Sequence, residues 1–326
     1  MRRREFIASI GNATAYSLVA PFAARAQEAG RTYRIGFLVP AARQSPPTAA
    51  FYDELRLNGF VEGQNLVVTA NGFAPPIERL AELATSIVKA APDVIFAGGP
   101  PAARAVQLAT RELSIVGISE DMVGERLVES LARPGGNMTG VSLLAPELDG
   151  KRQDLLMEAS PGMRRMAALA DSNVSTTQHL QSLKEAARER GADLSVFAVA
   201  TVDEIGPAIE QAKASGAEML NVLATPLLFS SRRLIIERVA TLRLPAMYQW
   251  PEMAEEGGFA AYGPRITEIY RQVARLIVKV LRGTKPADLP VEQPTKFELV
   301  LNLTTAKAIG HEIPAGLVLR ADKLIE

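Results

Sequence analysis

Few side chains in this sequence combine the types and the spacing that catalysis requires. The chain holds two histidines, His179 and His311, which lie far apart, and it has no cysteine. This composition disfavours a catalytic zinc site and excludes thiol chemistry. The adjacent carboxylates Glu120 and Asp121 do not predict an acid–base pair, because neighbouring residues of a helix or strand point apart. The P-loop, dinucleotide and nucleophile-elbow motifs are missing from the sequence, so we expect no enzyme, no cofactor and no metal site.

The pair Gly98-Gly99 is the one short motif with a direct chemical interpretation. It ends an apolar run just before a helical pattern. Free backbone N–H groups at such a position suit an anion such as a carboxylate. A tight strand-to-helix turn explains the same glycines, and both interpretations place them at the edge of a sheet.

The elements that must position the remaining polar side chains follow a regular alternation. Apolar runs typical of buried strands alternate with amphipathic helical patterns, first over residues 31–144 and again over 145–261. Such alternation indicates βαβ units and parallel sheets. A helix over 123–131 belongs to the first series, and the segment 266–281 predicts another helix beyond the second series. We therefore predict an α/β fold with two halves in series.

Ligands of open parallel sheets bind outside the carboxyl ends of the strands, and two facing sheets bring two such edges together across one cleft. The residues that follow predicted strands are therefore the candidates for binding a small molecule. In the first half they are Gln44, Ser45, Gly98, Gly99, Pro100, Ser119 and Asp121, and in the second half they are Asp171, Asn173, Thr225, Tyr248 and Trp250.

Several of these candidates also have a purely structural interpretation. Asp121 suits an ammonium group, and it suits equally the cap of the helix expected after it. Asp171 and Asn173 are typical of turns. Trp250 is the single tryptophan of the chain, and its glutamine and proline neighbours favour a loop at the ligand, whereas Tyr248 is more typical of a core.

The first 26 residues have the three parts of an export signal: a basic start, a short apolar run and small residues before the cut. The run is shorter than the roughly 20 residues of a membrane span. The stretch RREFI at positions 3–7 matches the twin-arginine pattern, and ARA ends at Ala26. We predict cleavage after Ala26 and a periplasmic protein. The 36 basic and 36 acidic residues offer no basic surface for nucleic acid.

Three sequence blocks resemble the ABC transporter substrate-binding protein family, in particular its tryptophan-binding-like group. They are VEGQN at 61–65, LARPGGNMTG at 131–140 and KPADLPVEQPTKFELV at 285–300. The chain departs from the family's pattern at Met122, where proline is usual, and at Thr225, where an acid is common. The second departure weakens the expectation of an ammonium contact from the second half.

The resemblance implies a type I periplasmic binding fold, in which two Rossmann-like lobes with parallel sheets are joined by three crossovers. The crossovers would lie near Leu143, Tyr262 and Leu289. Lobe one would comprise 31–143 plus 263–288, and lobe two would comprise 144–262 plus 289–326. Tyr262 would then either pack the hinge or contact the ligand.

The family implies a monomeric periplasmic protein that catalyses no reaction. It would capture a small amphipathic solute, such as an amino acid or a related acid, and deliver it to the membrane subunits of an ABC permease. Asp121 would pair with an ammonium group, and Trp250 would contact an apolar body. A sensor that reports the solute is the alternative within binding proteins, and an exported α/β enzyme is the alternative from another class.

Overall fold

This computed structural model describes residues 30–326. The export signal predicted over 1–26 lies outside the described residues. Within the described part of the chain, the strands form one sheet of five and one sheet of seven, and the predicted α/β fold in two lobes is confirmed. None of the helices between residues 30 and 326 has the length and apolar character that a membrane span requires.

The first sheet is wholly parallel and has the order β2-β1-β3-β4-β5. Every residue of β3 and β5 is buried, as expected for parallel strands that are covered on both faces. The strands are β1 (Tyr33–Leu38), β2 (Leu66–Val68), β3 (Val94–Gly98), β4 (Ser114–Ser119) and β5 (Met138–Ser142).

The second sheet has the order β12-β11-β10-β9-β8-β6-β7, and only the β10–β11 pair within it is antiparallel among the described strands. Its strands are β6 (Arg165–Asp171), β7 (Asp193–Val199), β8 (Met219–Val222), β9 (Ala246–Tyr248), β10 (Ala260–Gly263), β11 (Glu298–Asn302) and β12 (Lys323–Ile325).

The helices pack on both faces of the sheets. Those associated with the first sheet are α1 (Pro46–Leu57), α2 (Leu80–Lys89), α3 (Pro100–Ala109) and α10 (Ile266–Leu281), and those associated with the second are α4 (Ala145–Ala159), α5 (Thr177–Glu189), α6 (Val202–Ala214), α7 (Pro226–Ser230), α8 (Arg232–Thr241), α9 (Pro251–Glu255), α11 (Leu303–Ala308) and α12 (Ala315–Val318). Helix α10 buries one apolar face against α1 and the first sheet, although it follows β10 of the second.

Between residues 30 and 326, three segments carry the chain between the sheets. The first is Leu143–Leu144, between β5 and α4, and the second is the short link between β10 and α10. The third leads back into β11. Because β10 ends and β11 begins at the edge that faces the first sheet, Gly263 pairs with Glu298 and the two strands run in opposite directions.

The third crossing lies later than the sequence predicted. Val291 N donates to Leu131 O at 2.7 Å, and Glu292 N donates to Gly140 O at 2.9 Å. The chain is therefore still bonded to the first lobe at Glu292, and it crosses between that residue and β11 rather than at Leu289.

The prediction of a helix over 123–131 is wrong, because this segment forms successive turns and bends. Asp121 Oδ1 accepts the N–H of Gly124 at 2.9 Å, which begins a turn in the manner of a helix cap. Arg126 then adopts a left-handed backbone with φ of 57°, which ends any helical run. This turn brings the side chain of Glu125 back toward β4.

Candidate functional site

The two sheets face each other with the carboxyl ends of their strands. β1, β3 and β4 contribute from the first sheet, and β6, β8 and β9 contribute from the second. The space between them includes three cavities that are each lined from both lobes, and the central one shares lining residues with each of the other two. Cavities therefore lie outside the carboxyl ends of the strands, where ligands of this class of fold bind.

The apolar cavity has a volume of about 270 Å³. Its walls include Val39, Pro40, Pro76, Ile77 and Leu80 from the first lobe and Val202, Pro226 and Leu227 from the second. Asp171 also borders it, although that side chain is only 1% exposed. The character of these walls favours contact with a hydrocarbon or aromatic group.

The central cavity is a narrow space of about 40 Å³ where the lobes approach most closely. Gly98, Gly99 and Glu120 line it from the first lobe, and Thr225, Phe229 and Trp250 line it from the second. Tyr270 of α10 closes its floor and is fully buried.

The acidic cavity has a volume of about 560 Å³. Glu120, Asp121 and Glu125 line it from the first lobe, and Thr176, Gln178 and His179 line it from the second. Glu120 borders both the central and the acidic cavity, while Pro40, Gly98 and Pro226 border both the central and the apolar cavity. The cleft between the lobes therefore combines a cavity with mainly apolar walls and a cavity rich in carboxyl groups.

Glu120 and Glu125 form a carboxyl pair that lines the acidic cavity. Burial raises the pKa of Glu120 well above its ordinary value, and the charge of Glu125 raises it further. Burial also raises the pKa of Glu125 to about 7, although hydrogen bonds from the Ser119 hydroxyl at 2.6 Å and from the Asp121 N–H at 3.3 Å favour its ionised form. Both carboxyls consequently hold protons more readily than exposed glutamates.

A buried ionic network supports the wall of the acidic cavity. Arg152 Nη1 donates to Asp149 Oδ1 at 2.6 Å, and both side chains are 1% exposed. Asp149 Oδ2 also lies 3.1 Å from Nε2 of His179. Arg152 Nε donates to the carbonyl oxygen of Tyr262 at 2.8 Å, so the network ties α4 to the strand that leads into the second crossing.

Trp250 stands at the start of α9, where its ring borders the central cavity. It is 4% exposed and meets Phe229 edge to face, with ring centroids 5.9 Å apart. Its Nε1 has no hydrogen-bond partner among residues 30–326. Buried indole N–H groups usually have one, so Nε1 is an unsatisfied donor in a residue that borders the cleft.

Six of the residues predicted from the sequence border these cavities: Gly98, Gly99, Asp121, Asp171, Thr225 and Trp250. Two of them also have the structural roles that the sequence left open. Asp121 accepts two turn N–H groups. Asp171 accepts the N–H and the side-chain amide of Asn173, and burial raises its pKa.

The other predicted residues border none of the three cavities. Gln44 and Asn173 are exposed, and Pro100 is buried at the start of α3. The hydroxyl of Ser45 donates a hydrogen bond to Ala42 O, and that of Ser119 donates one to Glu125. Tyr248 is 1% exposed in the core, and the ring of Tyr262 stacks on that of Phe297. Tyr248 is thus part of the core, as its interior strand position favours. Tyr262 packs beside the second crossing.

The anion site predicted at Gly98-Gly99 lacks the free backbone N–H donors that it would need. Gly99 N already donates to the carbonyl oxygen of Ile118 at 2.9 Å. Pro100 and Pro101 occupy the first two positions of α3, and proline has no N–H. The glycines instead serve the tight turn and the close approach of the two lobes.

Sequence reasoning missed Glu120, Glu125 and His179. Glu120 directly follows β4, which is the signal that could have identified it. Glu125 was assigned to a helix that does not form. His179 reaches the cavity only through the packing of α5 against α4, which no local pattern reveals.

Two lobes whose sheets enclose a cleft between their carboxyl edges form an architecture typical of proteins that bind small molecules. The family of ABC transporter substrate binding proteins matches residues 48–325. The chain belongs to this family, and the resemblance carried by the three sequence blocks is confirmed.

Individual relatives agree with this assignment. The tyrosine-binding protein of Clostridioides difficile (strain R20291) is 24% identical over 264 residues, which is 80% of this chain and 76% of that protein. The structure of an ABC domain in complex with L-Trp from Streptococcus pneumoniae has a TM-score of 0.79 and 24% identity, and the match covers 90% of this chain and 100% of that one. The ligand-free, open structure of a substrate-binding protein with adhesive properties from Clostridium difficile has a TM-score of 0.62 and 22% identity, over 91% and 99% of the two chains.

Proposed function

We propose that this protein captures an amino acid or a related small amphipathic solute between its two lobes and delivers it to the membrane subunits of an ABC permease. The observation that carries this proposal is that the two lobes together line a mainly apolar cavity and a cavity rich in carboxyl groups. A molecule with an apolar body and a charged head complements both cavities. The names of the tyrosine-binding relative and of the L-Trp complex support the same class of solute.

The binding step would be a closure of the two lobes. A ligand that contacts both lobes only in the closed form shifts the equilibrium toward that form. Lobe one would be 31–143 with 263–292, lobe two would be the remainder, and the three crossing segments would act as the hinge. The higher TM-score to the L-Trp complex than to the open, ligand-free structure supports the interpretation that the present arrangement is closed.

The site of action would be the periplasm, which the protein would reach as a monomer after removal of residues 1–26. Sequencing of the N-terminus from a periplasmic fraction should begin at Gln27. Replacing Arg3 and Arg4 together by lysine should block export if the twin-arginine route is used. An intact Met1 on cytosolic protein would contradict the proposed location.

A thermal-shift screen over amino acids, amines, organic acids and sugars tests the binding function. A ligand at 100 times its dissociation constant stabilises the folded state by about 2.7 kcal/mol, which is a readily measured rise in melting temperature. We expect the hits among amino acids and related amphipathic solutes. Hits among sugars alone would contradict the proposed solute class, and no hit in any class would contradict solute binding.

A further inference from the structure

Glu120 is a buried carboxyl group at the boundary between the two lobes. It belongs to lobe one, is 9% exposed, and borders the central and the acidic cavity, which lobe two also lines. Its Oε2 has no hydrogen-bond partner among residues 30–326. An ionised carboxylate in such a place loses its hydration without a compensating donor, so enclosure by lobe two favours the protonated carboxyl.

Acids of both lobes surround this carboxyl group in the present arrangement. Burial raises the pKa of Glu120 well above its ordinary value, and the negative charge of neighbouring acids raises it further. Glu125 contributes that charge from lobe one, whereas Asp171 of β6 and Asp149 of α4 contribute it from lobe two. Separation of the lobes would admit water to Glu120 and move the acids of lobe two away, so both causes of the raised pKa depend on closure.

The cationic side chains near Glu120 are held by other partners. Arg152 of α4 donates to Asp149 and to the carbonyl oxygen of Tyr262, and Arg104 of α3 donates to the carbonyl oxygen of Glu125. Arginine and lysine are absent from the described residues that line the three cavities. A proton is therefore the positive charge that this arrangement leaves available to Glu120.

Three further titratable groups face the same part of the cleft. Asp121 accepts the N–H groups of its own turn. Tyr270 of α10 borders the central cavity, and burial raises its pKa, so its phenol stays uncharged near neutral pH. His179 of α5 lies 3.1 Å from Oδ2 of Asp149, and histidine is a residue type that commonly gains a proton near neutral pH. Its contribution must be separated from that of Glu120.

We propose that closure of the lobes takes up a proton at Glu120, so that capture of the solute is favoured at acidic pH and its release is favoured as the pH rises. This inference rests on the proposed solute-binding function and adds a regulation to it. Above the ordinary pKa of a glutamate, the closed form binds more protons than the open form, so a rise in pH through this range shifts the equilibrium toward the open form. Uptake of one proton changes that equilibrium by at most about tenfold for each pH unit.

A disulfide across the cleft tests this inference without any solute. A Cβ atom on Gly99 would lie 3.5 Å from Cβ of Pro226, and disulfides join Cβ atoms about 3.5–4.5 Å apart. The chain has no cysteine of its own, so Gly99→Cys with Pro226→Cys gives one defined bond. Oxidation would hold the lobes closed and reduction would release them, and both forms carry the same two substitutions.

Potentiometric titration of the oxidised and reduced forms from about pH 4.5 to about pH 7 measures the protons that closure takes up. We expect the oxidised form to bind up to about one proton more than the reduced form. Thiols of the reduced form ordinarily titrate near about pH 8.5, above this range. Adding Glu120→Gln should remove the difference, whereas Glu112→Gln, at an exposed position outside the cavities, should leave it unchanged. Adding His179→Gln should preserve most of it.

Equal titration curves of the oxidised and reduced forms would overturn the inference and leave standing any solute binding that the thermal screen detects. A difference that persists in Glu120→Gln and disappears in His179→Gln would also overturn it, because the proton would then belong to the histidine. Absence of hits in the thermal screen would contradict the proposed function instead.

Small-angle scattering of the unmodified chain without solute adds a measurement that needs no variant. Because closure is linked to proton binding, the radius of gyration should be smaller at about pH 5 than at about pH 8, with an unchanged far-ultraviolet circular dichroism spectrum. An equal or larger radius of gyration at the lower pH would contradict the inference.

Discussion

Gly99 of the first lobe and Pro226 of the second are in direct contact across the cleft. A Cβ atom on Gly99 would lie 2.5 Å from Cγ of Pro226, which is too close for two carbon atoms that are not bonded to each other. Each residue stands at the start of a helix that follows a strand of its own sheet. The distance between the lobes in this arrangement is therefore set partly by the absence of a side chain at position 99.

Gly99→Ala should oppose lobe closure. Forcing an extra carbon into a packed contact costs about 1–3 kcal/mol, so solute affinity should fall about 5- to 150-fold in a calorimetric titration. Gly99 also has φ of 90°, which strains alanine. Gly59→Ala is the matched control, because Gly59 has φ of 89° and no atom near its added Cβ. Equal losses of affinity in both variants would show that strain, not the contact with Pro226, is responsible.

Trp250 should report binding through its fluorescence. It is the only tryptophan of the chain, and its ring borders the central cavity. Titration with a non-indole solute that the thermal screen identifies, excited at wavelengths that tyrosine side chains do not absorb, should change its intensity or emission maximum. Trp250→Phe removes the signal and keeps an aromatic wall, so calorimetry on that variant should still detect binding. An emission spectrum that stays constant at saturation would place the solute elsewhere.

The ligand-free protein should lose stability as the pH rises from about 4.5 to about 7. The pKa of Glu125 is raised from 4.5 to about 7, and that of Glu120 is raised as well, so in this window the folded state binds more protons than the unfolded state and the free energy of unfolding decreases with pH. Asp121, Asp149 and Asp171 add negative charge around the pair, whereas Arg104 opposes it.

Urea unfolding at several pH values measures this slope. Glu125→Gln should flatten it, because the variant has no proton to lose at that position, and Glu112→Gln should leave it unchanged. A slope that is equally steep in Glu125→Gln would contradict the assignment of the pKa shift to this residue.

Two ion pairs with the same spacing should differ greatly in their contribution to stability. Asp149 and Arg152 are buried, whereas Asp53 and Arg56 lie exposed on α1. Breaking a buried pair costs about 3–5 kcal/mol because a buried charge remains uncompensated, while an exposed pair contributes about 0–1 kcal/mol. Asp149→Ala should therefore lower the free energy of unfolding far more than Asp53→Ala, and equal effects would be evidence against the buried network.

The long elements of the fold follow from the sequence because their patterns are strong. The helix predicted over 266–281 has the same bounds as α10, since apolar residues recur at helical spacing along its whole length. The short elements β10, β12 and α9 were not predicted. Segments of three to five residues carry too little periodicity, and their conformation depends on the neighbours they pair with.

The candidate site was predictable where it depends on strand ends and not where it depends on packing. Asp171 and Trp250 follow strands, and both border the cleft. Glu125 borders the cleft only because the positive φ of Arg126 interrupts the expected helix. An arginine in the sequence does not predict this backbone conformation. Tyr248 stands at the same strand end as Trp250, but its side chain is 1% exposed in the core and borders none of the three cavities.

Small-angle X-ray scattering of the protein with and without its solute tests the central claim, which is that a solute bound between the lobes holds them closed. With a saturating hit from the thermal screen, the scattering profile should match the present arrangement, in which Gly99 touches Pro226. Without solute, the radius of gyration should be larger while the far-ultraviolet circular dichroism stays the same, as hinge motion requires. The same radius of gyration in both samples, at a concentration where calorimetry shows full occupancy, would contradict closure of the two lobes on a bound solute.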